Sequence, residues 1–166
     1  MFDKAYFTDL AKYNIWANNR FKAWLLQIPE EHWSAPITSS FGNIGATVWH
    51  LAGAQKIWLE RLKELPEASN LPKVENPERN LTLSHWVETS DGLLNYVRNR
   101  QDGSLEEPLE FVRANGEKLR LAIYQILSQV FNHSTYHRGQ ILLMLKQIGF
   151  DKVGSTDLVG FYINPN

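Results

Sequence analysis

Between Asp3 and Ile28, apolar residues recur at Phe7, Leu10, Ala11, Ile15, Phe21, Leu25 and Ile28, with polar residues between them. That three-and-four spacing predicts an amphipathic helix, which Pro29 ends. A loop carrying Pro36 and several hydroxyl residues follows, and Ser39-Ser40-Phe41-Gly42-Asn43 reads as a turn leading into a cap. A second helix is predicted from Asn43 or Ile44 to about Leu65, with Ile44, Val48, Leu51, Trp58 and Leu62 on one face. The stretch from Pro66 to Asn80 holds three prolines and mixed charge and reads as a surface connection. Thr82 offers an N-cap for a third helix over about Leu83–Arg100, with Trp86, Val87, Leu93, Leu94 and Val97 inward. Two short apolar runs, Leu109–Val112 and Lys118–Leu121, flank Asn115-Gly116 and predict a small hairpin. The fourth helix spans about Ile123–Ile148, with Gly149 as its C-terminal cap. The closing Asp157–Tyr162 segment is too apolar for a solvated end and is expected to pack on the bundle or on a partner. The pattern therefore predicts one all-α domain over 1–166: an antiparallel four-helix bundle with a small β-hairpin before the last helix.

Composition narrows the function more than the fold. A chain of 166 residues with 43% hydrophobic content is long enough to bury a core without staples. With 17 Lys and Arg against 18 Asp and Glu, and a formal net charge of -1, no basic stripe tracks a phosphate backbone, so no nucleic-acid partner is expected. The absence of cysteine removes disulfides, thiolate nucleophiles and Cys-type metal sites, and fits a reducing compartment. No signal-peptide pattern opens the chain and no apolar run approaches the ~20 residues that span a bilayer, so the expectation is a cytoplasmic protein without a membrane partner.

Chemistry concentrates in the five histidines, His32, His50, His85, His133 and His137. His133 and His137 lie four apart, which places two imidazoles one turn apart on the same helix face. They continue the seam Ile126, Val130, Gln140 or Ile141, and Met144, so both are predicted to point into the bundle. Buried imidazoles need partners: a metal ion would satisfy both, as would hydrogen bonds to neighbours or water. A third ligand must come from another helix. His50 is the best candidate, mid-helix among the small residues Ala46, Thr47, Gly53 and Ala54, which leave a cavity or allow close helix contact. His85 reads as a surface residue beside the third helix's cap, and His32 as exposed in the loop after Pro29. Ser134 follows His133, so the His-Glu-x-x-His pattern of metalloproteases is absent. Three neutral histidines without a carboxylate would leave open coordination positions on a Lewis-acidic zinc, nickel or iron ion.

Three segments carry a resemblance. Tyr13-Asn14-x-Trp16-Ala17-Asn18, Ser40-Phe41-Gly42-x-Ile44 leading to His50, and Asn132-His133-x-x-Tyr136-His137-Arg138-Gly139-Gln140-Ile141 resemble the DinB/YfiT-like family of metalloenzymes. The ending Asp157-Leu158-x-x-Phe161-Tyr162 is similar to that family's as well. The resemblance implies a four-helix bundle, usually dimeric, with His50, His133 and His137 as the ligands of one divalent ion, commonly nickel or zinc, with iron as a further option. It also implies thiol-dependent S-transfer or isomerisation with a low-molecular-weight thiol.

Around that triad, Asn14 and Gln140 could orient a ligand or bound water, or serve as buried amides that hold the helices in register. Arg138 reads as anchoring an anionic substrate or pairing with an acidic residue, and Gly139 as permitting close helix approach. Most of the six tryptophans read as core or interface, with one or two at a pocket mouth. The expected function is metal-dependent activation of a small thiol. Metal-dependent hydrolysis and a non-enzymatic, dimeric metal-binding role are the alternatives.

Overall fold

The computed structural model describes residues 3–113 and 115–164. Four long helices form it: α1 (Lys4–Leu25), α3 (Ile44–Leu62), α4 (Arg79–Asn99) and α5 (Ile123–Gln147). Two short helices, α2 (Glu30–Ser34) and α6 (Leu158–Ile163), a 3-10 turn at Ser104–Glu106 and a two-stranded hairpin, β1 (Pro108–Val112) with β2 (Lys118–Ala122), are the remaining elements among the described residues. The hairpin is antiparallel, with Pro108 opposite Ala122 and Val112 opposite Lys118. Its connection contains the predicted Asn115-Gly116 pair, with Gly116 at φ +83°.

The core consists of two apolar clusters stacked along the bundle. One joins Phe7 and Ala11 of α1, Leu59 and Leu62 of α3, Leu93 to Val97 of α4, and Ile123 to Phe131 of α5. The other joins Phe21 and Leu25 of α1, Ile44 to Ala52 of α3, Leu83 and Trp86 of α4, and Ile141 to Leu145 of α5. The start of α1 thus lies level with the start of α5 and with the ends of α3 and α4. Helices α1 and α5 therefore run one way, and α3 and α4 the other. Between the clusters lies a polar level in which Asn14, Asn18, Gln55, Ser90, Ser134, His137 and Arg138 are all buried. The candidate chemistry sits at that level.

Because α3 and α4 run in the same direction, the chain must travel back the length of α3 between them. It does so as a strap antiparallel to α3, pinned by side chains that donate to its carbonyls. Lys56 reaches Ser69 O (3.0 Å), Trp49 Nε1 reaches Pro72 O (2.7 Å), Asn43 reaches Glu75 O (3.0 Å) and Trp33 Nε1 reaches Pro77 O (2.7 Å). Gly53 eases the fit, since a Cβ there would collide with Asn70 Oδ1. The small residues near His50 therefore admit the strap as well as leaving space.

Several boundaries differ from the sequence expectation for identifiable reasons. Helix α1 stops at Leu25 rather than Ile28, and Arg79 donates to the carbonyls of Leu25 (3.3 Å), Ile28 (2.9 Å) and Pro29 (3.1 Å). Helix α3 ends at Leu62 rather than Leu65, closed by Glu64 at φ +55° and by Leu65 N–H donating to Glu60 O. Helix α4 begins at Arg79, a turn earlier than predicted. Its N-cap is Glu78, whose carboxylate accepts from the N–H groups of Asn80 and Leu81. Thr82, the expected cap, lies inside the first turn with its hydroxyl donating to Glu78 O. At the end of α5, Gly149 (φ +80°) and Phe150 donate back to Lys146 O and Leu145 O, the hydrogen-bond pair of a Schellman cap. The apolar tail packs on the bundle itself: Phe161 meets the rings of Tyr13 and Trp16, and Tyr13 Oη donates to Thr156 O (2.9 Å).

Candidate metal centre

Helix α3 carries His50 across from His133 and His137, one turn apart on α5, at the bundle's polar level. Their Nε2 atoms converge. His133 Nε2 lies 3.0 Å from His137 Nε2 and 3.4 Å from His50 Nε2. All three ligand nitrogens fall within 4.8 Å of one another. Around a tetrahedral ion with metal–nitrogen bonds of about 2.0–2.1 Å, ligand nitrogens stand about 3.3 Å apart, so the two shorter separations already suit such an ion. Three imidazoles this close could hold a metal ion.

The hydrogen-bonding around the cluster fits that role. Gln140 Oε1 lies 2.7 Å from His137 Nδ1 and, as an acceptor, holds the proton on that nitrogen. The Nε2 lone pair of His137 is thereby left facing the other two rings, the tautomer a metal ligand needs. Burial lowers the pKa of His50 to about 4, with the neighbouring His137 and His133 adding repulsion. Burial followed by His137 lowers that of His133 to about 4. Burial lowers His137 too, opposed by its bond to Gln140. At neutral pH all three rings are thus uncharged and able to donate lone pairs.

Phe41 covers the cluster. Its ring stacks on His50 with centroids 4.1 Å apart at 22°, and stands 5.6 Å from the His137 ring. It belongs to a tight loop closed by Ile37 N–H donating to Gly42 O (2.7 Å), with Gly42 at φ +82°. Asn43 then caps α3, as the sequence predicts, by accepting from Ala46 N–H (2.7 Å). Between this loop and the strap lies a groove of about 670 Å³, whose lining includes Phe41, Trp49 and His50. Trp49 is thus the tryptophan at this groove's wall.

Of the two amides singled out from sequence, only Gln140 is shown bonded to an imidazole. Asn14 is buried and accepts from Arg138 Nη1 (2.8 Å), while its own Nδ2 finds no partner among the described residues. Arg138 itself departs from expectation. Its guanidinium is buried and donates to Asn14 and Asn18 Oδ1 (2.8 and 2.9 Å) and to Thr135 Oγ1 (2.8 Å), and it lies over the Tyr13 ring. Neutral groups, not a carboxylate, hold it. Asn18 continues to Ser90 (2.9 Å), and Gln55 accepts from Ser90 and Thr89 while donating to Ser134 (3.1 Å). Beyond Asn14, the sequence reading missed this layer. Its signal was a set of polar residues on otherwise apolar helix faces.

Gly139 does not mediate close approach, for a Cβ there would meet nothing within 4 Å. His85 lies in the second turn of α4, half-buried and edge-on to Trp49 at 5.7 Å, and not at the helix start. His32 falls within α2 and is half-buried, not loose in a loop. Neither joins the cluster.

The DinB family profile matches residues 1–162. This chain belongs to the DinB family. It is 26% identical over 156 residues to the protein DinB of Bacillus subtilis (strain 168), a match that covers 85% of each chain. In fold it is similar to a DinB-like protein from Bacillus cereus ATCC 10987, with a TM-score of 0.63 at 18% identity, covering 84% of this chain and 90% of that one. Among the described residues, no helix is long and apolar enough to cross a membrane.

Proposed function

We infer that this protein is a metal-dependent enzyme of the thiol S-transferase type, with His50, His133 and His137 as the ligands of one nickel or zinc ion. The observation that carries the reading is the convergence of three neutral Nε2 atoms, a donor set with no fourth His, Cys, Asp or Glu among the described residues. Such a set leaves a coordination position for substrate. A divalent ion bound there supplies Lewis acidity that lowers the pKa of a thiol, so that sulfur reacts as thiolate near neutral pH. The chain's own contribution is orientation and exclusion. Gln140 fixes the His137 ring, burial keeps the imidazoles neutral, and Phe41 shields the cluster from bulk water. In the reaction the thiol proton leaves to solvent, a sulfur–carbon bond forms on the electrophile, and its leaving group departs with the bonding pair.

The same reading places the protein in the cytoplasm, where small thiols are kept reduced and a chain without cysteine needs no disulfides. It also places two copies together. Exposed Tyr136 and Leu143 on α5 flank Gly139, which adds no side chain, and Val159 and Ile163 of α6 are likewise exposed. Light scattering on the purified chain gives twice the monomer mass if that holds.

The decisive experiment loads the metal-free protein with cobalt and adds cysteine or a cysteine-containing thiol. One cobalt per chain and a new sulfur-to-metal charge-transfer band support the reading. Stoichiometric cobalt whose spectrum does not respond to thiol removes the transferase assignment while leaving metal binding intact.

A further inference from the structure

Of the three imidazoles, His50 alone lines the groove between the Phe41 loop and the strap. Phe41 lines it too, yet its ring also stands 5.6 Å from His137, which does not. The aromatic ring therefore lies between the groove and the interior of the cluster. Its seat is a face-to-face stack on His50 with no hydrogen bond to break, and it projects from a short loop outside the long helices. Such a ring can swing aside at the cost of one stacking contact, a cost typical of gating side chains.

The groove's lining indicates what passes. It combines flat rings and aliphatic groups, among them Phe41, Trp49, Leu71 and Val74, with uncharged polar side chains such as Ser40 and Asn70. Its only charged side chains are Lys73 and Glu75, both on the strap, one of each sign. A field that nearly cancels neither attracts nor repels an ion, whereas flat apolar walls favour a planar uncharged group.

We propose that Phe41 is the specificity-determining gate of this centre, and that the groove admits an uncharged electrophile with a flat apolar portion past it to the imidazole cluster. This rests on the metal-dependent reading above for its reaction, but the gate itself is a property of the chain. It is tested in two ways. In the metal-free protein, the rate at which diethyl pyrocarbonate modifies His137, followed by mass spectrometry, reports access past Phe41. A gate open about a tenth of the time predicts a roughly tenfold faster modification in Phe41→Ala, with Phe41→Leu in between. In the cobalt-loaded protein, pyridine, a flat neutral ligand, enters faster in Phe41→Ala. In the same protein Ala46→Leu, which narrows the groove one turn before His50, slows pyridine but not azide.

Equal His137 modification rates in wild type and both Phe41 variants would overturn the gate, whatever the metal does. Pyridine and azide slowed alike by Ala46→Leu would overturn the groove's preference for flat neutral groups. Loss of metal binding in the wild type, with the modification rates still different, would sink the proposed function and leave the gate standing. Circular dichroism confirms that each variant is folded. Should Phe41→Ala fail that check, Phe41→Leu carries the same comparison.

Discussion

Two polar constellations share the middle level of the bundle, and they are built on opposite principles. On one side Arg138, Asn14, Asn18, Ser90, Thr89, Gln55 and Ser134 connect α1, α3, α4 and α5 through a run of side-chain hydrogen bonds. Gln55 uses its NH₂ once and its carbonyl oxygen twice, and the guanidinium spends its N–H groups on three side-chain oxygens. On the other side, His50, His133 and His137 aim three nitrogens of one kind at a common point. Neighbouring residues on α5 feed both: Ser134 and Arg138 the first, His133 and His137 the second. Bonds that cross between helices make the first a lock. Surplus of acceptors makes the second a receptor for a cation, because neutral imidazoles cannot all satisfy one another.

If the two are separate devices, substitutions should divide cleanly between metal binding and stability. The largest effect expected is His133→Ala, which abolishes stoichiometric metal binding, measured by elemental analysis after dialysis, while leaving the fold intact. One equivalent still bound with unchanged affinity would refute the ligand assignment. Next comes Arg138→Leu, which strips Asn14, Asn18 and Thr135 of a donor and should cost about 3 kcal/mol in denaturant unfolding while the folded fraction still binds one ion. Metal binding lost with Arg138 would show instead that the two clusters act as one unit. Gln55→Leu leaves the hydroxyls of Thr89, Ser90 and Ser134 each one partner short and should cost about 2 kcal/mol by the same measurement, again without changing stoichiometry.

A smaller effect is expected at the one residue that supports the cluster from outside it. Gln140→Leu frees the His137 tautomer and should weaken zinc binding roughly tenfold in a chelator competition, about 1.4 kcal/mol, with little change in stability. The metal-free protein should also show a pH effect. The folded-state pKa values of His50 and His133 lie at about 4, below the ordinary 6.5. Below pH 6.5 the unfolded chain takes up protons that the folded chain refuses, so stability is fully present above 6.5 and declines as pH falls toward 4. Urea midpoints at pH 7 and pH 5 measure this, and His133→Ala should flatten the slope.

How far these constellations were legible depends on how local their signals are. The four-residue spacing of His133 and His137 within an apolar seam is written in one helix, so the inward pair could be read directly. His50 lies 83 residues from His133, and only the family resemblance completed the triad before the fold did. The lock was legible only at Asn14, read as one of two amides that could hold the helices in register. Its members are single Asn, Gln, Ser and Thr residues on four helices, each unremarkable until packing sets it beside a partner 34 to 124 residues away. Arg138 was misjudged for the same reason, since sequence suggests a carboxylate for a buried cation and packing supplied amides. The start of α4 escaped because Glu is not among the favoured capping residues, whereas Thr82 is of the favoured type but uses its hydroxyl inside the turn.

The strap between α3 and α4 has a consequence for how this architecture can diversify. Lys56, Trp49, Asn43 and Trp33 grip it through the carbonyls of Ser69, Pro72, Glu75 and Pro77, groups that every amino acid carries. The side chains at Lys73 and Val74 are left to face the groove without supporting the bundle through these bonds. Chemical taste is thereby uncoupled from folding. Mutation can rewrite one wall of the groove, residue by residue, while the helices that hold the imidazoles stay under separate selection.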